Sequence, residues 1–196
     1  MLKREHIRTK TGELRRPKTP AVSDALLERL QKVKLLLLDV DGILTDGGIY
    51  VGAETEFKRF NIQDGLGLRL AQKAGIKVGW ISARPSFASA TRAVELKVDY
   101  LFQGDTGKIA AAEDILKKAG VPWSDVCFMG DDVVDLGLLR RAGLAISVAN
   151  AIEEAKGVAH YVTKAAGGHG AVREAVHLIL KAQNKWDALV QEYMLK

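Results

Sequence analysis

Two aspartates spaced i, i+2 close an apolar run in Leu38-Asp39-Val40-Asp41-Gly42-Ile43-Leu44-Thr45-Asp46. A carboxylate at the end of a strand covered on both faces sits where open α/β sheets bind ligands. Two such carboxylates concentrate negative charge, which a hard cation neutralises. The pair suits a carboxylate nucleophile, Asp39, held beside Mg²⁺, with Asp41 moving a proton. Gly42 lets backbone approach a phosphate closely. Three further signals follow in order: Ser82 in Ile81-Ser82-Ala83-Arg84, Lys108 after Gly104-Asp105-Thr106-Gly107, and Gly130-Asp131-Asp132-Val133-Val134-Asp135.

Positioning these groups requires strands that end at one edge. Apolar runs predict strands over 33–39, 77–82, 100–102, 126–130, 144–148 and 160–163. Helices are expected over 24–32, capped by Ser23, and over 65–74, 86–96, 106–119, 133–142, 152–155 and 170–183. The glycine-rich 47–52 and then 56–60 read as a β-hairpin. Strands alternating with helices imply βαβ units with right-handed crossovers. The expected fold is a Rossmann-like three-layer α/β sandwich: a mostly parallel sheet, a small β-hairpin flap over 47–62, and no separate cap domain.

At 196 residues and 47% hydrophobic composition, the chain can build one domain with a sizeable core. No run approaches the ~18 apolar residues of a membrane span, and charges interrupt any signal-peptide pattern. The single cysteine, Cys127, excludes an internal disulfide and suits a cytoplasmic protein. Of the net charge of +5, residues 1–34 carry ten Lys/Arg against four Asp/Glu, or +6, and the remainder carries −1. The organisation expected is a basic leader over 1–32, a catalytic domain over 33–183 and a tail over 184–196. The leader's basicity alone would suit an anionic surface, but no aromatic residue precedes Tyr50 to stack on bases. Neither a nucleic-acid nor a membrane partner is expected.

The four signals in this order resemble the haloacid dehalogenase superfamily of phosphotransferases, over roughly residues 33–173. A closer resemblance is to the 3-deoxy-D-manno-octulosonate 8-phosphate phosphatases. It rests on Asp46-Gly47-Gly48-Ile49-Tyr50, Phe60-Asn61-Ile62-Gln63-Asp64-Gly65-Leu66-Gly67, Ser82-Ala83-Arg84, Arg92-Ala93-Val94-Glu95-Leu96, and Gly167-Gly168-His169-Gly170-Ala171-Val172-Arg173-Glu174.

The resemblance implies an Mg²⁺-dependent phosphatase of an acidic sugar phosphate in lipopolysaccharide precursor synthesis. Asp39 is then the nucleophile, Asp41 the acid and base, and Ser82 and Lys108 the contacts to the transferring phosphoryl group. Asp39, Asp41 through its carbonyl, Asp131 and Asp132 are the implied metal set. Asp132 and Asp135 are equally suited to capping the helix after them, Asp135 to orienting Lys108, and Asp105 to pairing with Lys108. Thr45 is expected to position Asp41, and Asp46 to serve a turn. Asn61, Asp64, Gly65, Arg69, Arg84, Arg92 and Lys108 would line the sugar-acid pocket, some across a subunit boundary. For Arg69 a surface ion pair serves equally well. Arginine suits carboxylate and phosphate by its planar fork. With no cap domain, a homotetramer whose hairpins and tails cover each pocket is the implied assembly. His169 stands where relatives carry Arg or Lys. The alternatives are a phosphatase of a 9-phosphorylated nonulosonic acid, a signalling receiver domain and a non-catalytic assembly domain.

Overall fold

The computed structural model describes residues 23–53, 55–105 and 107–195. Most of the expected leader, together with Glu54, Thr106 and Lys196, lies outside the described residues. Six strands form one sheet: β1 (Leu35–Leu38), β4 (Lys77–Ser82), β5 (Tyr100–Gln103), β6 (Val126–Met129), β7 (Leu144–Ser147) and β8 (Tyr161–Val162). Their spatial order is β5-β4-β1-β6-β7-β8, and every neighbouring pair is parallel. Leu35 pairs with Lys77 on one side and Val126 on the other. Connections run outward from β1 in both directions, so a crevice opens at its carboxyl end.

The helices are α1 (Asp24–Lys32), α2 (Ile62–Lys73), α3 (Phe87–Glu95), α4 (Lys108–Ala119), α5 (Leu136–Leu139), α6 (Glu153–Val158), α7 (Ala171–Ala182) and α8 (Trp186–Met194). One set packs α1, α2 and α8 around α7; another joins α4, α5 and α6 in series. Leu35 to Leu38, Trp80 and Phe128 are completely buried, as a strand trio covered on both faces demands. Cys127 lies in this core, where burial pushes its thiol well above the usual range.

Several boundaries differ from those expected, each for a local reason. Helix α2 begins three residues early because Asn61 caps it, accepting from Gln63 N at 2.8 Å. The segment 133–142 splits into a 3₁₀ turn, Val133–Asp135, and the short α5, because Asp132 and Asp135 form a capping box around the turn. The hairpin shrinks to β2 (Tyr50–Val51) against β3 (Glu56–Phe57), with one further bridge between Thr45 and Phe60. Its base is fixed where the Phe60 ring stacks on Trp80, centroids 6.2 Å apart. The tail forms α8 and packs on its own chain. Trp186 meets His177 edge-on at 4.4 Å and the Arg173 guanidinium at 4.8 Å, and Leu189 is buried.

Candidate active site

The chain leaves β1 in a tight loop. Asp39 N still donates to Met129 O of β6 at 3.0 Å, then Leu44 N and Thr45 N both return to Val40 O. The buried Thr45 hydroxyl staples this loop, accepting from Gly42 N at 3.3 Å and Gly47 N at 3.2 Å. A second loop leans on the first. Gly168 N donates to Ile43 O at 3.0 Å, and a Cβ on Gly167 would overlap the Gly42 carbonyl. That close approach requires glycine.

Lys108, the first residue of α4, reaches across the crevice to Asp39 Oδ1 at 2.6 Å and Asp135 Oδ1 at 2.7 Å. It is not paired with Asp105. Asp135 is 0% exposed, and its second oxygen accepts from Asp131 N at 3.0 Å and Asp132 N at 3.4 Å. Oxygens of Asp39, Asp131 and Asp135 lie within 4.8 Å of one another. Burial pushes Asp39 up to about 7, with Asp135 adding to the effect and Lys108 opposing it. Burial also lifts Asp131 to about 6, helped by Asp135 and Asp132. Burial works against the Lys108 ammonium, but Asp39 and Asp135 outweigh it and hold its pKa above the ordinary lysine value.

The donors suit a hard divalent cation. Asp131 Oδ1 is buried with no hydrogen-bond partner, and a Cβ on Gly42 would overlap Asp131 Oδ2. Both Asp135 oxygens are already bonded, so Asp39 and Asp131 are the carboxylates with capacity left for the ion. Asp132 stands outside the cluster, its carboxylate accepting from Val133 N at 2.6 Å.

Residues 87–175 match the model of haloacid dehalogenase-like hydrolases. The 3-deoxy-D-manno-octulosonate 8-phosphate phosphatase of Escherichia coli K12 is 40% identical over 167 residues, covering 85% of this chain and 89% of that one. The chain belongs to this phosphatase family of haloacid dehalogenase-like hydrolases. The Moraxella catarrhalis phosphatase, solved with a magnesium ion, a phosphate ion and a KDO molecule, is 42% identical with a TM-score of 0.83. That match covers 86% of this chain and 97% of the other. The Yersinia pestis phosphatase is 38% identical with a TM-score of 0.83, over 85% and 90% of the two chains.

The residues that the family resemblance assigns to phosphoryl and sugar contacts have varied surroundings here. The Ser82 hydroxyl closes a turn with Arg84, donating to Arg84 O at 3.0 Å and accepting from Arg84 N at 3.1 Å. Arg84 pairs with Glu56 of β3 at 2.5 Å, which ties the hairpin to the end of β4. Arg92 bonds Glu95 at 2.7 Å, and Gly65 makes room for its guanidinium. Arg69 donates to Gln72 at 2.6 Å and to Leu96 O at 3.1 Å. Asn61 is the α2 cap. Asp64 accepts from Arg173 N at 2.7 Å and Gly170 N at 3.2 Å, so it clamps the start of α7. Burial raises its pKa against the pull of those amides. His169 Nε2 takes a hydrogen bond from Arg59 at 2.9 Å, and Arg59 Nε reaches Asp46 at 2.9 Å. Sequence reasoning missed Lys58, whose buried ammonium contacts Asp41 at 2.7 Å. The sequence offers only a conditional signal: Lys58 is two residues from Phe60, so extended backbone that carries Phe60 inward also carries Lys58 inward, and only the Phe60–Trp80 stack says which face that is.

Proposed function

We propose that this chain hydrolyses 3-deoxy-D-manno-octulosonate 8-phosphate to the free sugar acid and inorganic phosphate. The observation that carries this reading is the convergence of Asp39, Asp131 and Lys108 at the carboxyl ends of β1 and β6 and the start of α4, in a chain 40% identical to a phosphatase of that ester. An Asp39 oxygen attacks phosphorus and the bond to the sugar oxygen breaks. Asp41 gives that oxygen a proton. Water then cleaves the aspartyl phosphate, losing its proton to Asp41 and regenerating Asp39. Asp39 and Asp131 would hold Mg²⁺, which offsets charge on the phosphoryl oxygens when bound. Lys108 adds to that offset and orients Asp39, while Asp135 fixes Lys108.

The reading extends to a cytoplasmic enzyme of lipopolysaccharide precursor synthesis, working as a homotetramer. Exposed Tyr50, Val51 and Phe57 on the hairpin, with Phe87 at the start of α3, favour cover by another copy. Among the described residues no helix is long and apolar enough to cross a membrane. The test is phosphate release from the eight-carbon ester and from a 9-phosphorylated nonulosonic acid, with Asp39→Asn alongside. Equal or faster turnover of the nine-carbon ester overturns the substrate assignment. Full activity in Asp39→Asn overturns the covalent mechanism.

A further inference from the structure

The Lys58 side chain is 0% exposed, although it arises from a hairpin at the surface. A lysine free to extend would keep its ammonium in water. This one turns inward, 2.7 Å from Asp41 Oδ1 and 2.9 Å from Oδ2. Ser89 Oγ of α3 anchors the same ammonium at 3.3 Å, and Glu56 lies 4.0 Å away. No backbone amide in the described residues donates to the Asp41 side chain. Among the described residues, Lys58 is the side chain that donates to the Asp41 carboxylate. Glu56 in turn accepts from Ser86 Oγ at 2.5 Å and pairs with Arg84, so the hairpin, β4 and α3 all converge on the seat of Lys58.

We propose that Lys58 is a positioning residue for Asp41. Seated by the hairpin and Ser89, its ammonium holds the Asp41 carboxyl group where the leaving oxygen must collect its proton. Proton delivery thus depends on how the hairpin sits. The inference deepens the phosphatase reading and rests on it. A proton donor acts only within hydrogen-bond reach, and misplacement by about 1 Å costs on the order of 100-fold.

The experiment compares two esters. The sugar alkoxide cannot leave without a proton, whereas p-nitrophenolate can. The ratio kcat/KM reports the steps through loss of the leaving group, so it is blind to the later attack of water. In Lys58→Met we expect kcat/KM for the sugar phosphate to fall about 30- to 100-fold, carried by kcat, and that for p-nitrophenyl phosphate to fall less than about threefold. Ser89→Ala removes one anchor and keeps the backbone bond from Ser89 N to Ser86 Oγ, and we expect it to move the same ratio the same way by a few-fold. Equal losses on both esters in either variant overturn the proposal, as does a sugar-phosphate loss carried by KM alone. A wild-type enzyme that cleaves the aryl ester but not the sugar acid phosphate overturns the substrate assignment instead. The comparison then stands on whichever alkyl phosphate it cleaves.

Discussion

Gly42→Ala tests the metal site through a residue that carries no functional group. Gly42 holds φ at +93°, a region that alanine enters at a cost of about 1–2 kcal/mol. A Cβ there would overlap Asp131 Oδ2 and stand 2.7 Å from Asp131 Cγ. The loop cannot retreat freely, because Gly42 N is tied to Thr45 Oγ1 at 3.3 Å and the Gly42 carbonyl abuts Gly167. The Asp131 carboxylate must therefore leave its present position beside Asp39. Disturbing what orients a metal ligand costs about 10- to 100-fold in affinity or activity. We expect half-saturating Mg²⁺ for phosphate release to rise by that factor and the melting temperature to fall by roughly 2–8 °C. The assay is an Mg²⁺ titration of initial rates with a thermal melt of the same preparation. Strain alone would lower the melt and leave the metal requirement untouched. That outcome would refute the placing of the ion between Asp39 and Asp131.

Asp64→Asn should lower stability by about 0.5–2 kcal/mol, since a charged cap at α7 is weakened. KM for the sugar phosphate should change less than about threefold, and a large KM rise in kinetic assays would return Asp64 to the substrate pocket. Gly167→Ala should destabilise by roughly 1–3 kcal/mol or more in urea unfolding, because its Cβ meets the Gly42 carbonyl, which is backbone and cannot swing aside. The metal-free protein should also report its crowded carboxyls. Asp39 near 7 and Asp131 near 6 favour the protonated forms in the folded state, so folding stability drains away as pH rises from about 4 through those values. Mg²⁺ displaces those protons. The rise in melting temperature on adding Mg²⁺ should therefore grow between pH 5 and pH 7.5. Taking the difference with and without Mg²⁺ cancels the lowered values of His160 and His177, which act in the opposite sense. A constant or shrinking increment would count against the assignment.

The parallel sheet was legible because buried strands are short and uniformly apolar, and the runs at 35–38, 77–82 and 126–129 could be little else. Once those strands are parallel, their acids must gather at one edge, so Asp39 and Asp131 were placed by topology alone. Less legible were contacts that depend on side-chain direction. Asp64 was expected only in the sugar-acid pocket, and its bonds to the start of α7, more than a hundred residues away, are contacts that no local pattern announces. Lys58 lies just beyond β3, a strand with only two ladder pairs, one residue after Phe57 and two before Phe60. Without the stacking of Phe60 on Trp80, no pattern says which face is inward. The α5 region failed for a different reason. Asp132 and Asp135 hydrogen-bond their own backbone, a local competition that breaks an otherwise helical periodicity.

The position of Asp135 follows from the charges around it. Asp39, Asp131 and Asp135 set against Lys108 leave two negative charges in excess when all are ionised, and Lys58 is committed to Asp41. A buried crevice cannot carry that excess, so without a cation Asp39 and Asp131 hold their protons to unusually high pH. A divalent ion supplies the missing two charges, and it competes with protons for the same oxygens. Asp135 raises the proton affinity of both partners, yet its own oxygens are used up by Lys108 and the amides of Asp131 and Asp132. It therefore has no oxygen left to offer an ion. Removing its charge should let Asp39 and Asp131 ionise more easily, while freeing Lys108 from its second anchor. The site would gain anions ready for metal and lose the rigidity that points them at it.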